Sequence, residues 1–550
     1  MTETPDPDGV YPRLTDAQLA ELARHGERRP TTAGEVLIRE GERPSAFYVV
    51  SGGTVAVLDG YGTGRERTLG VHGPGRFLGE LALVLGQPAF VTSVVREPGE
   101  VLAIPPERLQ EVSVHDARLG ELIMRAYVAR REILISLGAG MRIVGSRFSP
   151  DTRRLRDFAA RNRLPHRWLD LESDPEAGAL LAELDIDPED TPVVVWSGTR
   201  VLRNPDNAQL ASAVGLRVPA QLDLDADLLV VGAGPAGLAA AVYGASEGLS
   251  TVAVDGTAVG GQAATSSRIE NYLGFPAGIS GAELAERAVV QAEKFGAHIS
   301  IPGEAVGLDE EEGYHVVRLA DGRSLRGRTV LVVTGARYRR LDVPGMDRLE
   351  RASVYYAATD IEARQCAPDP VAVVGGGNSA AQAAIFLADH VARVYLLIRE
   401  GELTANMSQY LADRIRRNPR IEARLDTEVR ELQGDRVLER LVVEDTRAGE
   451  RDTIAARSLF VFIGAAPHAR WLGAGVALDE HGFVVTGPEA ARNGRAAEWD
   501  LLGREPYFLE TSRPGVFAAG DVRSGSIKRM ASAVGEGSMA VRLVHEYLMR

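Results

Sequence analysis

LLVVGAGPAG, residues 228 to 237, is four apolar residues running straight into a glycine-rich turn. The apolar run fits a buried parallel strand, and Gly232, Gly234 and Gly237 fill the three places of a GxGxxG turn. The first glycine permits the tight turn, the second lets a pyrophosphate come against the backbone, and the third lets the next helix pack on the strand. That helix, Leu238 to Glu247, turns its N-terminal N–H groups toward the phosphates. A second apolar strand, Ser250 to Val254, ends in Asp255, about 20 residues past the glycines, where a carboxylate bonds an adenosine ribose. Strand, turn, helix, strand and acid stand in the order that dinucleotide binding requires.

A second fingerprint lies further on. The strand Val371 to Val374 leads into GGGNSA, with Gly375, Gly377 and Ala380 at the three places and Asn378 and Ser379 opening a helix. Two such units in one chain imply two nucleotides, or one nucleotide and a flavin. The second strand of this unit, Val394 to Ile398, ends in Arg399 and Glu400. Arg399 suits a 2′-phosphate, whereas Glu400 repels one or bonds a bare ribose hydroxyl, and the reading leans to NADPH over NADH.

The totals bound the rest. A length of 550 residues predicts three or four domains, and 45% apolar with 25% charged residues is an ordinary globular balance. The net charge of −14 argues against nonspecific nucleic-acid binding and against attachment to an acidic membrane. MTETPDPDGV has neither the basic region nor the apolar core of a signal peptide, and no apolar run is long enough to span a bilayer, so a cytoplasmic location is expected. The single cysteine, Cys366, excludes an intrachain disulfide, a CxxC centre and a cysteine-based zinc site, and no metal is expected. It reads as a small buried apolar residue.

Before the first glycine turn, the chain predicts two further units. Asp16 to Gly26 is a short amphipathic helix. After it, short apolar runs alternate with glycine turns: Glu35 to Ile38, Ala46 to Val50, Thr54 to Leu58, Arg67 to Leu69, Thr92 to Val95 and Val101 to Ile104. They predict a small β-barrel or jelly roll, closed by a helical stretch from Arg108 to Leu137. Residues 140 to about 218 follow in β-α-β-α-β order: Met141 to Val144, Pro150 to Asn162, His166 to Leu171, Pro175 to Leu184 and Pro192 to Trp196. Residues 216 to 225 read as a linker.

Three resemblances follow from these residues. IREGERPSAFYVVSGGTVAV and GRFLGELALVLGQPAFVTSVV resemble a cyclic-nucleotide-binding domain (1–138). Gly79 and Glu80 match its phosphate-binding cassette, and the resemblance implies that Glu80 bonds the ribose hydroxyl. The cassette arginine is replaced by Ala89, followed by Phe90, so the expectation is a structural or differently tuned domain, without the guanidinium that would hold a cyclic phosphate. Residues 139–218 resemble a thioredoxin or glutaredoxin fold whose CPxC reads Ser149-Pro150-Asp151-Thr152, so dithiol exchange is closed to it.

The third resemblance covers 226 to 550. The two glycine turns, Gly260-Gly261-Gln262, IENYLGFP, TGARYRRLDVPG and TSRPGVFAAGDVR resemble the thioredoxin reductase group of two-dinucleotide-binding-domain (Rossmann-like) flavoproteins. This implies an FAD domain in two parts, 226–342 and 466–550, with an NAD(P)H domain, 343–465, inserted between them. It also implies FAD on Gly232, Gly234, Gly237, Asp255, Gly261, Gln262, Asn271, Thr334, Gly335, Gly520, Asp521, Arg529 and Met530, with the nicotinamide cofactor on Gly375, Gly377, Asn378, Ser379, Ala380 and Arg399. A homodimer is implied by the family alone. The segment corresponding to the family's CATC is Tyr355-Tyr356-Ala357-Ala358-Thr359-Asp360, where Ala357 and Asp360 stand near the two cysteine positions and neither carries a thiol. The expected activity is an FAD-dependent NAD(P)H oxidoreductase passing electrons to an acceptor, small molecule or redox protein, without a dithiol relay. The alternatives are ferredoxin–NADP reductase-like electron transfer, or a redox or ligand sensor.

Overall fold

The computed structural model describes residues 2–6, 9–83, 86–196, 200–216, 225–266, 268–269, 272–356, 358, 360–492, 499–500, 502–527 and 529–550. The chain divides into two compact units, 1–222 with 293–302, and 223–292 with 303–550.

The first unit opens with a six-stranded antiparallel β domain. Ala46 to Val50 and Thr54 to Leu58 are expected as separate strands, but they form one strand, Phe47–Asp59, and Thr92 to Val95 and Val101 to Ile104 likewise merge into Thr92–Ile104. The glycines between these runs are bulges rather than turns. The two long strands pair along their length with register shifts at Val50/Gly52, Gly52/Thr54 and Thr54/Val55. They approach so closely that a β-carbon on Gly99 would lie 2.1 Å from the Gly52 carbonyl oxygen. Helix Asp16–Ala23 forms where expected, with Thr15 capping it. The helical stretch after the barrel splits into Pro106–His115 and Ala117–Ser136. Asp116 causes the break: its backbone is extended and its carboxylate accepts from the N–H groups of Arg118 and Leu119, starting a new helix.

A second, four-stranded sheet follows in the same unit, in the order Arg200–Arg203, Val193–Trp196, Met141–Gly145, His166–Asp170. The last two are parallel, and the other neighbours are antiparallel. Helices Pro150–Arg161, Pro175–Glu183 and Asn207–Ala213 accompany it. Ser149 caps the first of these onto Thr152 N–H, and Thr191–Pro192 is cis. The barrel and this sheet are joined by a buried seam. Phe90 stacks on Trp196 with ring centroids 5.5 Å apart, and Asp59, 2% exposed, accepts from the Gly140 N–H and from Arg67 and Arg142.

In the second unit, four parallel strands run Thr251–Val254, Ala226–Val231, Ser324–Val332, Val516–Ala518. Antiparallel Tyr314–Leu319 and Ala305–Glu311 extend the sheet from Ser324–Val332. A second parallel sheet is ordered Val354–Tyr355, Ser458–Val461, Val371–Val374, Val394–Leu397, Ile421–Arg424. The strands that flank it in sequence, Ala336–Tyr338 and Ala465–Pro467, pair antiparallel, so entry to the inserted fold and exit from it share one ribbon. No helix among the described residues is long and apolar enough to cross a membrane.

Candidate functional site

The first glycine turn has the geometry its sequence demands. Gly232 has φ +116°, and a β-carbon there would lie 2.3 Å from the Val333 carbonyl oxygen. A β-carbon on Gly237 would lie 1.9 Å from the Gly232 carbonyl oxygen, so the helix sits hard against the turn. Gly234 differs: its nearest neighbour on that side is the Gly261 Cα at 3.9 Å. Gly234 also precedes helix Pro235–Ser246 and has no capping side chain. An open face at the N-terminus of a helix is what a pyrophosphate fits.

Asp255 follows the second strand and closes the turn, accepting from the Ala233 N–H at 2.9 Å and from the Thr257 and Ala258 N–H groups at 2.9 and 3.1 Å. Burial pushes its carboxyl above the usual range against those three amides.

The other end of the chain returns to this turn. A β-carbon on Gly520 would lie 3.2 Å from the Ala236 Cβ, and one on Gly537 would lie 2.1 Å from the Ala236 carbonyl oxygen. The final helix, Met530–Leu548, therefore crosses the glycine-turn helix at contact distance, with Arg529 at its cap and Met530 in its first turn. Asp521 lies in the short turn Gly520–Val522 between sheet and helix. Glu536, which sequence reading missed, holds this turn: it accepts from the Gly520 N–H at 2.7 Å and pairs with Arg523. Its signal was an acid two turns into a helix whose start faces a bare GDV turn.

Gln262 donates from Nε2 to the Ala336 carbonyl, and the Thr334 hydroxyl donates to the His468 carbonyl at 2.6 Å. Gly261 packs with its Cα against Gly234, while Gly335 lies on the ribbon's approach. These residues thus gather the first turn, the ribbon and the last helix around one place. Asn271 lies outside the described residues.

In the inserted fold, Gly375 has φ +142° and a β-carbon there would lie 2.4 Å from the Phe462 carbonyl oxygen. Gly377 precedes helix Asn378–Ala388, whose first residue accepts from the Ser408 N–H at 2.7 Å. Ser379 lies in its first turn, and Ala380 is fully buried beneath it. Arg399 is exposed, and its Nε donates to Glu400 at 2.9 Å. Of the two residues expected near the family's cysteines, Ala357 lies outside the described residues and Asp360 starts helix Asp360–Cys366. Cys366 ends that helix, 2% exposed, donating to the Ser458 hydroxyl, and burial pushes its thiol up to about 11.

In the barrel, Gly79 has φ +102° and Glu80 is buried. One Glu80 oxygen accepts from Arg130 at 2.7 Å; the other, Oε2, is buried without a protein hydrogen-bond partner. Ala89 and Phe90 are buried, and Phe90 stacks on Trp196.

Residues 226–537 match the pyridine nucleotide-disulphide oxidoreductase family. The chain belongs to this family. Residues 28–116 match the cyclic nucleotide-binding domain. Among similar proteins, the thioredoxin reductase of Peptoclostridium acidaminophilum is 30% identical over 58% of this chain and 96% of its own. The thioredoxin reductase of Treponema pallidum is 30% identical over 60% of this chain and 98% of its own. The solved thioredoxin reductase of T. acidophilum aligns with a TM-score of 0.53 at 29% identity, over 59% of this chain and 99% of that one, and that of Lactococcus lactis with 0.53 at 25%, over the same shares. The chain is therefore a thioredoxin-reductase-like oxidoreductase with a cyclic-nucleotide-binding domain before it.

Proposed function

We propose that the chain is an FAD-dependent NAD(P)H oxidoreductase that hands its electrons on without an internal dithiol. The observation that carries this reading is the open face at Gly234, ringed by Asp255, Gly520 and the last helix, in a chain whose only thiol is buried. Bound there, FAD supplies two-electron chemistry with a nicotinamide as hydride donor. The protein's part is to hold the pyrophosphate on the helix N-terminus, fix the turn through Asp255 and Glu536, and keep water from the reacting faces.

On this reading, residues 226–342 and 466–550 form the FAD domain and 343–465 the NAD(P)H domain. The four-stranded sheet of 139–218 is a thioredoxin-like fold stripped of its thiols, and 1–138 is a regulatory barrel. The acceptor is a small oxidant or a redox protein that meets the flavin directly, and the family resemblance favours a homodimer. Anaerobic stopped-flow mixing with NADH and NADPH tests the proposal: flavin bleaching near 450 nm within a turnover supports it, and a bound flavin that neither nucleotide bleaches refutes it.

A further inference from the structure

In both nucleotide folds the acid after the second strand reaches the middle residue of the glycine turn, and the two folds share out the space in opposite ways. In the first, the middle residue is Ala233 and the shorter Asp255 meets its N–H at 2.9 Å. In the second, it is Gly376 and the longer Glu400 comes so close that a β-carbon on Gly376 would lie 2.8 Å from Glu400 Oε2. Asp255 directly follows its strand and bonds the backbone of its turn, whereas Glu400 stands three residues past its strand and lies over the open face of Gly376.

Around Glu400 the nearest charges are one exposed guanidinium and a second carboxylate. Arg399, the cation nearest in sequence, is 75% exposed and gives its Nε to Glu400, whose side chain is only 24% exposed. The acid faces the turn and the guanidinium faces solvent. Beside it, a β-carbon on Gly401 would lie 3.3 Å from the Asp426 carboxylate. A 2′-phosphate would bring close to two negative charges against this pair. A ribose diol instead donates O–H groups to the carboxylate, a charge-assisted bond.

From this geometry we infer that the second fold selects the unphosphorylated dinucleotide, NADH, with Glu400 accepting from the ribose hydroxyls and Gly376 providing the room for it. The inference rests on the second glycine turn being the nicotinamide-dinucleotide site, and it reverses the lean to NADPH that the sequence, with Arg399 weighed against Glu400, suggests.

Titration calorimetry of the full-length, flavin-loaded protein with ADP-ribose and with 2′-phospho-ADP-ribose tests the binding without turnover. ADP-ribose is expected to bind about tenfold tighter or more. Glu400→Gln should narrow that gap and Glu400→Arg should invert it. Gly376→Ala, which pushes the carboxylate aside, should narrow it as well; the flavin spectrum of each variant reports its fold. Equal or tighter binding of the phosphorylated ligand by the unaltered protein overturns the role of Glu400 while leaving the site in place. Binding of neither ligand overturns the reading of the second fold as a dinucleotide site.

Discussion

Glu80 and Arg130 face each other at 2.7 Å with side chains 2% and 6% exposed, and Arg130 also bonds the Phe77 and Val10 carbonyls. Removing one partner strands a buried charge. Arg130→Met is expected to destabilise the barrel by about 3–5 kcal/mol, and adding Glu80→Gln to recover part of that loss, both read from unfolding midpoints. His315 is 5% exposed, and burial, with Arg513 nearby, lowers its pKa to about 4. In the unfolded chain it takes a proton near pH 6.5. Between about pH 6.5 and 4 the unfolded state therefore binds the extra proton, and stability falls as pH falls, by about 3 kcal/mol in all. His315→Gln should flatten that slope in denaturant titrations followed by circular dichroism. At this scale the glycines of both turns were legible, because their spacing encodes backbone geometry. The station of Glu400 over Gly376 was not, since it depends on how a strand end meets a turn in space.

Elements were legible where one face repeats. Val371–Val374 has the bounds that its apolar run predicts, and strand Ala226–Val231 contains the first four residues of the opening stretch. Glu27–Thr31 escaped notice because an edge strand reading ERRPT shows almost no apolar alternation. The merged strands of the barrel misled because glycine marks both turns and bulges, and the Asp116 break because a single cap interrupts an otherwise helical pattern. Two contacts between elements give tests. Gly237→Ala places a methyl group against the Gly232 carbonyl, and the purified protein is expected to carry much less flavin, read as the ratio of 450 to 280 nm absorbance. Trp196→Ala empties a fully packed seam against Phe90. A loss of about 3–5 kcal/mol is expected, with faster proteolysis between the barrel and the four-stranded sheet.

For the whole molecule, the chain carries a disulphide-reductase frame on which no internal disulfide can form. NADH-driven reduction of ferricyanide or a quinone is expected to proceed, while reduction of thioredoxin or an aromatic disulfide at comparable rates would contradict the proposed route. Cys366 has a further consequence. Its thiol is sealed under Ser458 and held protonated far above neutral pH. Peroxide attacks thiolates, carrying them through sulfenic to irreversible sulfinic and sulfonic acids. With its one thiol so buried, an electron route of the proposed kind is expected to outlast the peroxide exposure that silences dithiol enzymes.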